Sequence, residues 1–429
     1  MTRHIFERRD RVHLTRGVNA TGQESGQILI LFALWLSLLC VCVGFGIDFG
    51  FGYVTKAQLA RAADAAALAT MRNLGKGQAE AATIGQSVFA LNYNTQSSLN
   101  ASPPTVSITF STDTHGAPIV NVTDTATIRT FFIEFAGFAT QNIAEYSQAT
   151  RPPVILSLVL DRSGSMNLNG GAAALPPSVE DFLGYFIQNT DRLGEISFSS
   201  IATLDVPITE AFQAPITNSV NGMAFGGGTF AQGGLLDAQA LVTGVSNPPP
   251  NAVNVVVFFT DGWANMNQDT LGGHLVNYGG CTPAEFAVGW CNAVACMDPN
   301  TGNEIPGQGL AATSIYQVGS CYGVSTFTAQ DTAQLTNPAS LDIFNIATEA
   351  DYRAVQLANT MRSQGITVYS IGLGDKINQT YLQELANDPS SPTYNSSEPT
   401  GLAEFAPTAS DLDTAFQTVA SRILLRLTH

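Results

Sequence analysis

The sequence predicts an α/β protein with a central, mostly parallel sheet flanked by helices, preceded by one membrane-spanning helix and a small β-rich segment. From position 154 onward, short apolar runs with few charges alternate with helical patterns. This alternation is typical of a parallel sheet that is covered by helices on both faces. Near the N-terminus, residues 28–47 form an uncharged apolar run of 20 residues, which is the length of a membrane span.

The apolar run is predicted to be a retained membrane anchor. At about 1.5 Å per residue, Ile28 to Ile47 covers roughly 30 Å, the thickness of a bilayer core. Five of the 18 Lys+Arg residues precede the run, so the positive-inside rule places the N-terminal tail in the cytoplasm. Four of the 34 Asp+Glu residues lie at or before Asp48, which leaves 13 basic and 30 acidic residues beyond the membrane.

A cleaved signal peptide and a buried core helix are the alternatives to an anchor. A signal peptide has a shorter apolar core followed by a small-residue cleavage site. Here the apolar run continues without a break into the Ala-rich helical pattern of residues 53–71. We therefore expect one span, with the rest of the chain outside the membrane.

Four regions follow one another along the chain, and the second is predicted to be one long helix that loosens near Gly75 and Gly77. Alternating apolar and polar residues predict strands in the third region. We interpret Arg151-Pro152-Pro153 as a linker before the α/β domain. The regions are a polar tail at 1–26, the anchor and Ala-rich helix at 27–95, the β-rich segment at 96–151, and the α/β domain at 152–429.

The α/β domain is predicted from four strands and five helices. The predicted strands are Val154–Leu160, Gly194–Phe198, Val253–Thr260 and Thr367–Ile371. The predicted helices lie near Val179–Gln188, Ala231–Val242, Ile346–Ser363, Thr380–Ala386 and Ser410–Leu427. Residues 263–345 show neither helical nor strand periodicity and are predicted to form a loop-rich insertion.

Five oxygen-bearing side chains follow predicted strand ends or a glycine-rich loop. In D-R-S-G-S, Asp161, Ser163 and Ser165 come directly after a strand; Thr229 follows three glycines; and Asp261 ends another strand in T-D-G. The carboxyl ends of parallel strands meet at one edge of a sheet, so we expect these oxygens to converge. Such hard donors suit Mg²⁺ or Mn²⁺ rather than zinc or copper.

A polar turn and a serine nucleophile are the competing interpretations of this cluster. Asp and Ser are common in turns, so D-x-S-x-S alone is weak evidence. A serine nucleophile needs a base, and none of the histidines has an evident route to Ser163; they are His4, His13, His115, His274 and His429. The glycine-rich loop lacks the lysine of a phosphate loop. The formal net charge of −16 argues against a nucleic-acid partner.

Residues 154–262 and 366–425 resemble a von Willebrand factor A (vWA) domain, and D-R-S-G-S, G-G-T and T-D-G resemble its metal-ion-dependent adhesion site (MIDAS). The resemblance implies that Ser163, Ser165 and Thr229 contact a cation, Mg²⁺ or otherwise Mn²⁺ or Ca²⁺. It implies that Asp161 and Asp261 act mainly through water. It also implies a protein partner that supplies an acidic side chain to the metal.

The N-terminal segment has a second resemblance. G-Q-I-L-I-L-F-A-L and A-A-D-A-A-A-L-A resemble the TadG-like family of Flp/Tad pilus-associated proteins, and T-A-T-I-R-T-F-F-I-E-F-A-G-F resembles the small pilin-like α+β segment after the anchor. The resemblance implies a single-pass bacterial inner-membrane protein with a cytoplasmic N-terminus and a periplasmic vWA domain. It implies pilus or envelope partners and no enzymatic activity. The alternative is a structural pilin-like component in which the metal site only stabilises the fold.

The insertion contains four cysteines, Cys281, Cys291, Cys296 and Cys321. In the periplasm disulfides persist, so we expect two bridges; the alternative is a zinc site, although no C-x-x-C pair occurs. Four cysteines allow three pairings, and the sequence does not choose between them.

Overall fold

The fold is taken from a computed structural model that describes residues 25–93, 101–114, 116–168, 170–280, 293–311, 319–330 and 340–427. Residues 1–24 of the predicted cytoplasmic tail, Cys281 and Cys291 lie outside these residues. The chain forms two compact units. The first comprises Met1–Leu59, Asn94–Thr105 and Thr125–Ala144, and the second comprises Ala60–Tyr93, Val106–Asp124 and Glu145–His429.

Helix α1 (Ser25–Arg72) contains the expected span. By length and composition it is the one helix among the described residues that could cross a membrane, and only 6% of its most apolar window is buried. The large apolar side chains from Ile28 to Val43 are exposed. An exposed apolar surface of this extent marks a membrane or interaction site.

The predicted helix is interrupted after Arg72, at the place where the sequence predicts it to loosen, so residues 25–92 form two helices rather than one. A short 3₁₀ turn, Leu74–Lys76, separates α1 from α2 (Gln78–Asn92). Gly77 has a φ of 101°, which interrupts the helical path and is accessible to glycine at little cost. At Gly75 a Cβ atom would lie 2.5 Å from the carbonyl oxygen of Gly184, so only glycine fits there.

The β-rich segment forms a three-stranded sheet. Its strands are β1 (Thr105–Thr112), β2 (Pro118–Arg129) and β3 (Thr140–Thr150), in the order β1-β2-β3. In β2, buried residues alternate with more exposed ones along most of the strand. This period of two is what the sequence pattern predicts.

The rest of the chain builds an α/β domain. Its strands are β4 (Val154–Asp161), β5 (Arg192–Phe198), β6 (Ala202–Thr209), β7 (Val253–Thr260), β8 (Met266–Leu271), β9 (His274–Gly279), β10 (Ala293–Met297), β11 (Leu310–Ala311), β12 (Thr367–Leu373) and β13 (Ala403–Ala406). Its helices are α3 (Gly171–Leu183), α4 (Gln213–Asn221), α5 (Ala231–Thr243), α6 (Ile343–Ser363), α7 (Gln379–Ala386) and α8 (Leu412–Leu427).

A six-stranded sheet in the order β13-β12-β7-β4-β5-β6 forms the centre of this domain. Every pairing is parallel except β5 with the edge strand β6. All eight residues of β4 are buried, because a hydrophobic cluster lies on each face of the sheet. The predicted mostly parallel sheet with flanking helices is confirmed. The sequence did not indicate β6, β13 or α4, and α3 begins earlier than predicted, at Gly171.

The interpretation of Arg151-Pro152-Pro153 as a linker needs revision, because Arg151 is only 2% exposed. Its guanidinium donates two hydrogen bonds to the carboxylate of Asp191, at 2.9 and 2.6 Å. That carboxylate also accepts bonds from the backbone N–H groups of Val154 and Ile187. The start of β4 is therefore fastened to the turn before β5 by a buried ion pair.

The prediction of a loop-rich insertion is wrong for residues 266–279 and 293–297, which form most of a second sheet in the order β11-β10-β9-β8 with antiparallel pairing. Residues 298–309 and 319–330 consist mainly of turns and loops, as predicted. Gly272 and Gly273, both with positive φ, form the two-residue turn of the β8–β9 hairpin. Asn267 and Asn277 are both fully buried although they are polar, and they lie on opposite faces of the hairpin, so burial in these strands does not follow a hydrophobicity pattern. A disulfide joins Cys296 and Cys321 inside the apolar cluster of this sheet.

A buried carboxyl in β5 predicts a pH-dependent stability. Burial raises the pKa of Glu195 to about 8, and the nearby charge of Asp205 adds to the rise. Between the unfolded pKa of 4.5 and about 8, the unfolded chain binds fewer protons than the folded one, so stability falls as pH rises. Glu195→Gln keeps the neutral shape, so at pH 8 it is expected to be about 1–3 kcal/mol more stable than wild type.

Near pH 4.5 the two proteins are expected to have nearly equal stability. Urea denaturation at both pH values checks this expectation. A wild-type stability that stays constant between the two pH values would contradict it.

Candidate functional site

The two strands that carry the predicted aspartates are neighbours in the central sheet. Strand β4 ends at Asp161, and β7 ends at Thr260, one residue before Asp261. The strands pair in parallel with Leu160 opposite Phe259. Both aspartates therefore lie at the same carboxyl edge of the sheet, as the sequence predicts.

Asp161 is completely buried and its carboxylate is held on both sides. Oδ1 accepts a hydrogen bond from the backbone N–H of Ser163 at 2.7 Å, and Oδ2 accepts one from the Thr260 hydroxyl at 2.6 Å. Burial raises the pKa of Asp161, and the hydrogen bonds from Thr260 and Ser163 oppose that rise. The carboxylate is thus fixed in orientation at the base of the site.

The two serines connect the loop after β4 to the end of β7. Their hydroxyl oxygens share a hydrogen bond of 3.0 Å. The hydroxyl of Ser165 also donates to Oδ1 of Asp261 at 2.6 Å. Ser163, Ser165 and Asp261 therefore present a continuous chain of oxygen atoms.

Thr229 reaches the same edge on a glycine-rich loop. The N–H of Gly226 donates to the carbonyl of Arg162 at 2.8 Å, and the N–H of Gly164 donates to the carbonyl of Gly227 at 3.1 Å. Gly227 has a φ of 88°, a conformation that favours glycine. These two bonds join the Thr229 loop to the loop that carries the two serines.

Sequence reasoning missed two residues that position the site. Thr260 was part of the T-D-G pattern, but no role was assigned to its hydroxyl, which holds Asp161. The side chain of Asn265 accepts a hydrogen bond from the backbone N–H of Thr229 at 2.7 Å. Thr260 could have been found from its place beside Asp261. Asn265 carries no signal, because its role depends on how the insertion folds back.

The five residues Asp161, Ser163, Ser165, Thr229 and Asp261, here called the five-oxygen cluster, combine two carboxylates with three hydroxyls. This donor chemistry fits a hard divalent cation. Among the described residues, no group of three or more His, Cys, Asp or Glu side chains could hold a metal. A cation at this edge would therefore depend on hydroxyl oxygens in addition to carboxylates.

Two protein-family models match the chain. The Flp pilus-assembly TadE/G-like model matches residues 26–73, and the von Willebrand factor type A domain model matches residues 156–289. The second match contains the whole five-oxygen cluster. No protein of curated function matches the chain.

Several solved structures are similar to the chain at low identity. The vWF domain of the type V pili tip protein Mfa5 from Porphyromonas gingivalis has 17% identity and a TM-score of 0.41, over 66% of this chain and 98% of that one. The pilus adhesin SpaC from Lactobacillus rhamnosus GG, in its open conformation, has 17% identity and a TM-score of 0.40, over 76% and 34%. PTMP1 from the mussel byssus, with a zinc occupied MIDAS motif, has 13% identity and a TM-score of 0.36, over 64% and 46%.

This chain thus covers less than half the length of SpaC and of the mussel protein. The two family matches and the observed parallel sheet identify the chain as one that combines a TadE/G-like N-terminal segment with a von Willebrand factor type A domain.

Proposed function

We propose that this chain is a single-pass inner-membrane protein whose periplasmic vWA domain binds a protein partner through a divalent cation, in the assembly or adhesion of Flp/Tad pili. The observation that supports the cation most strongly is the hydrogen-bonded set of Asp161, Ser163, Ser165 and Asp261 at one sheet edge. Thr229 lies on a loop that is bonded to the loop of the two serines. The TadE/G-like match and the exposed apolar part of α1 support the pilus context and the anchor. The proposal assigns binding, and no catalysis, to the cluster.

The chain's own residues hold the donors in place before any ligand arrives. Thr260 and the N–H of Ser163 orient the carboxylate of Asp161. Ser163, Ser165 and Thr229 would contact the cation, while Asp161 and Asp261 would act mainly through water. A bound Mg²⁺, Mn²⁺ or Ca²⁺ would supply a hard positive centre for an acidic side chain of the partner.

Charge explains why the partner would need the cation. The chain carries a formal net charge of −16, so an acidic surface is repelled at long range. The five-oxygen cluster adds two carboxylates at the point of contact. Removing the divalent cation should therefore abolish binding of an acidic partner rather than weaken it slightly.

Thr260 offers a test of how the cluster is positioned. In Thr260→Val the hydroxyl that donates to Asp161 is lost while the shape of the side chain is kept. Losing such an outer partner is expected to weaken Mn²⁺ affinity about 10- to 100-fold. Titration of Mn²⁺ followed by electron paramagnetic resonance checks this. Unchanged affinity would show that Thr260 does not orient the site.

Complementation of a deletion strain tests the proposed function against the structural alternative. Cation-dependent binding predicts that Asp161→Asn fails to restore pilus assembly or adhesion although the protein accumulates normally. If the cluster only stabilised the fold, Asp161→Asn would restore function. Of the two changes, only removal of residues 27–70 would then abolish it. Immunoblotting of the membrane fraction controls for the amount of protein.

A further inference from the structure

A loop rich in phenylalanine, residues 131–138, joins β2 to β3 in the first unit. Four of its side chains are exposed large apolar groups: Phe131, Phe132, Phe135 and Phe138. Phe135 is 91% exposed and Phe138 is 66% exposed. Phe135 lies in a 3₁₀ turn, Ile133–Ala136. Gly137 ends this turn in the left-handed region, with a φ of 93°.

Asp48 fastens this loop to α1 directly after the predicted membrane span. Its carboxylate accepts three backbone hydrogen bonds, from the N–H groups of Phe131, Phe132 and Ile133, at 2.7 to 2.8 Å. Asp48 is only 1% exposed. These bonds hold the loop beside Asp48, the first residue of α1 after the apolar run 28–47.

Two glycines on one face of α1 allow Phe132 and Gln141 to approach the helix closely. Gly44, Asp48 and Gly52 are spaced four residues apart, so they share one helix face. A Cβ atom at Gly44 would lie 2.6 Å from Cδ1 and 2.7 Å from Cβ of Phe132, and one at Gly52 would lie 3.2 Å from Oε1 of Gln141. Phe132 therefore packs beside a residue that is itself inside the predicted span.

We infer that the 131–138 loop inserts into the outer, periplasmic leaflet of the membrane beside α1, as a second contact with lipid. This inference rests on the proposed membrane anchor. The occupant is lipid because the loop is bonded to the end of the span, and because Phe132 reaches the depth of Gly44. The aromatic rings of Phe51 and Phe131 also pack together, with their centroids 5.8 Å apart. This contact continues the apolar surface of α1 onto the loop.

Charged residues in the loop and beside it limit the depth of insertion. Glu134 is exposed between the phenylalanines, and Arg129 is exposed at the end of β2. Carboxylates and guanidinium groups stay at the headgroup level, whereas aromatic rings favour the interface. The loop would thus lie in the interface, with Phe135 and Phe138 below the headgroups and Glu134 among them.

Tryptophan quenching by brominated lipids tests the depth directly, with the full chain in phosphatidylethanolamine and phosphatidylglycerol nanodiscs. One protein keeps Trp35 as its sole tryptophan, with Trp263→Phe and Trp290→Phe. In the second, Trp35 is also replaced by Phe and Phe135→Trp is added. The matched control carries Thr125→Trp, an exposed position on β2 in the same unit, instead of Phe135→Trp.

We expect shallow bromine to quench the tryptophan at 135 strongly, deep bromine to quench Trp35, and neither to quench the tryptophan at 125. Quenching of Trp35 without quenching at 135 would overturn the inference while leaving the anchor intact, and the loop would then be a surface for protein. Absence of quenching at both 35 and 135 would overturn the anchor and the inference together. Because Phe135 is almost fully exposed, its replacement should leave folding unchanged.

Discussion

Asp161→Asn is expected to lose divalent-cation binding while the vWA domain stays folded. The asparagine oxygen can still accept the hydrogen bond from the N–H of Ser163, and its amide can donate to the oxygen of Thr260. The substitution removes a negative charge from the cluster and places N–H groups where the cation's water ligands need an acceptor. We expect Mn²⁺ affinity to fall by about 100-fold or more, at the upper end of effects for residues around a metal.

Asp375→Asn is the matched control for this prediction. Asp375 follows β12, another strand of the same sheet, but its side chain is exposed. Mn²⁺ titration by electron paramagnetic resonance should give wild-type affinity for Asp375→Asn and a much weaker one for Asp161→Asn. Near-ultraviolet circular dichroism should be the same for all three proteins. Wild-type Mn²⁺ affinity in Asp161→Asn would contradict the assignment of the site.

Arg151→Met is expected to destabilise the α/β domain by about 3–5 kcal/mol. Arg151 and Asp191 are both almost fully buried, and the substitution leaves the carboxylate without its counter-charge. The backbone donors of Val154 and Ile187 remain, but they do not neutralise it. Urea denaturation in micelles measures the loss.

Two further variants distinguish the buried ion pair from a general packing effect. Arg151→Met combined with Asp191→Asn removes the uncompensated charge, so it should be less destabilised than Arg151→Met alone. Arg192→Met breaks a more exposed pair with Glu210, which should cost less than about 1 kcal/mol. Equal losses for Arg151→Met and Arg192→Met would contradict the proposed role of the buried pair.

Strand positions in the central sheet could be predicted because the buried strands are nearly continuous apolar runs. Val154–Leu160 and Val253–Thr260 match β4 and β7 to within one residue. The edge strand β6 could not be predicted, because its residues are mostly half-buried or exposed and carry no apolar run. The start of α3 was placed too late because Pro176 and Pro177, which usually mark helix boundaries, lie inside the helix.

The convergence of the candidate site followed from topology rather than from local sequence. Asp161 and Asp261 are 100 residues apart, and only the parallel pairing of β4 with β7 brings them to one edge. The insertion defeated prediction for a different reason. Its strands bury amide side chains such as Asn277, which donates to the carbonyl of Ser200 at 2.9 Å, so burial there depends on hydrogen bonds and not on hydrophobicity.

The first unit shows a similar limit of sequence reasoning. An aspartate that directly follows an apolar run is expected to lie at the outer edge of the span, where water solvates it. The structure instead buries it and directs its carboxylate at three backbone N–H groups. Nothing local to Asp48 in the sequence indicates a partner more than 80 residues away.

Co-sedimentation with intact pili tests cation-dependent binding most directly. Pili are prepared from a wild-type Flp/Tad-piliated strain, and the purified full chain, distinguished by an affinity tag, is added in nanodiscs with Mg²⁺, with EDTA, or with EDTA followed by excess Mg²⁺. We predict co-sedimentation in Mg²⁺, loss in EDTA, recovery when Mg²⁺ is restored, and no co-sedimentation of Asp161→Asn. Co-sedimentation that is equal in Mg²⁺ and in EDTA would contradict the proposed role of the five-oxygen cluster.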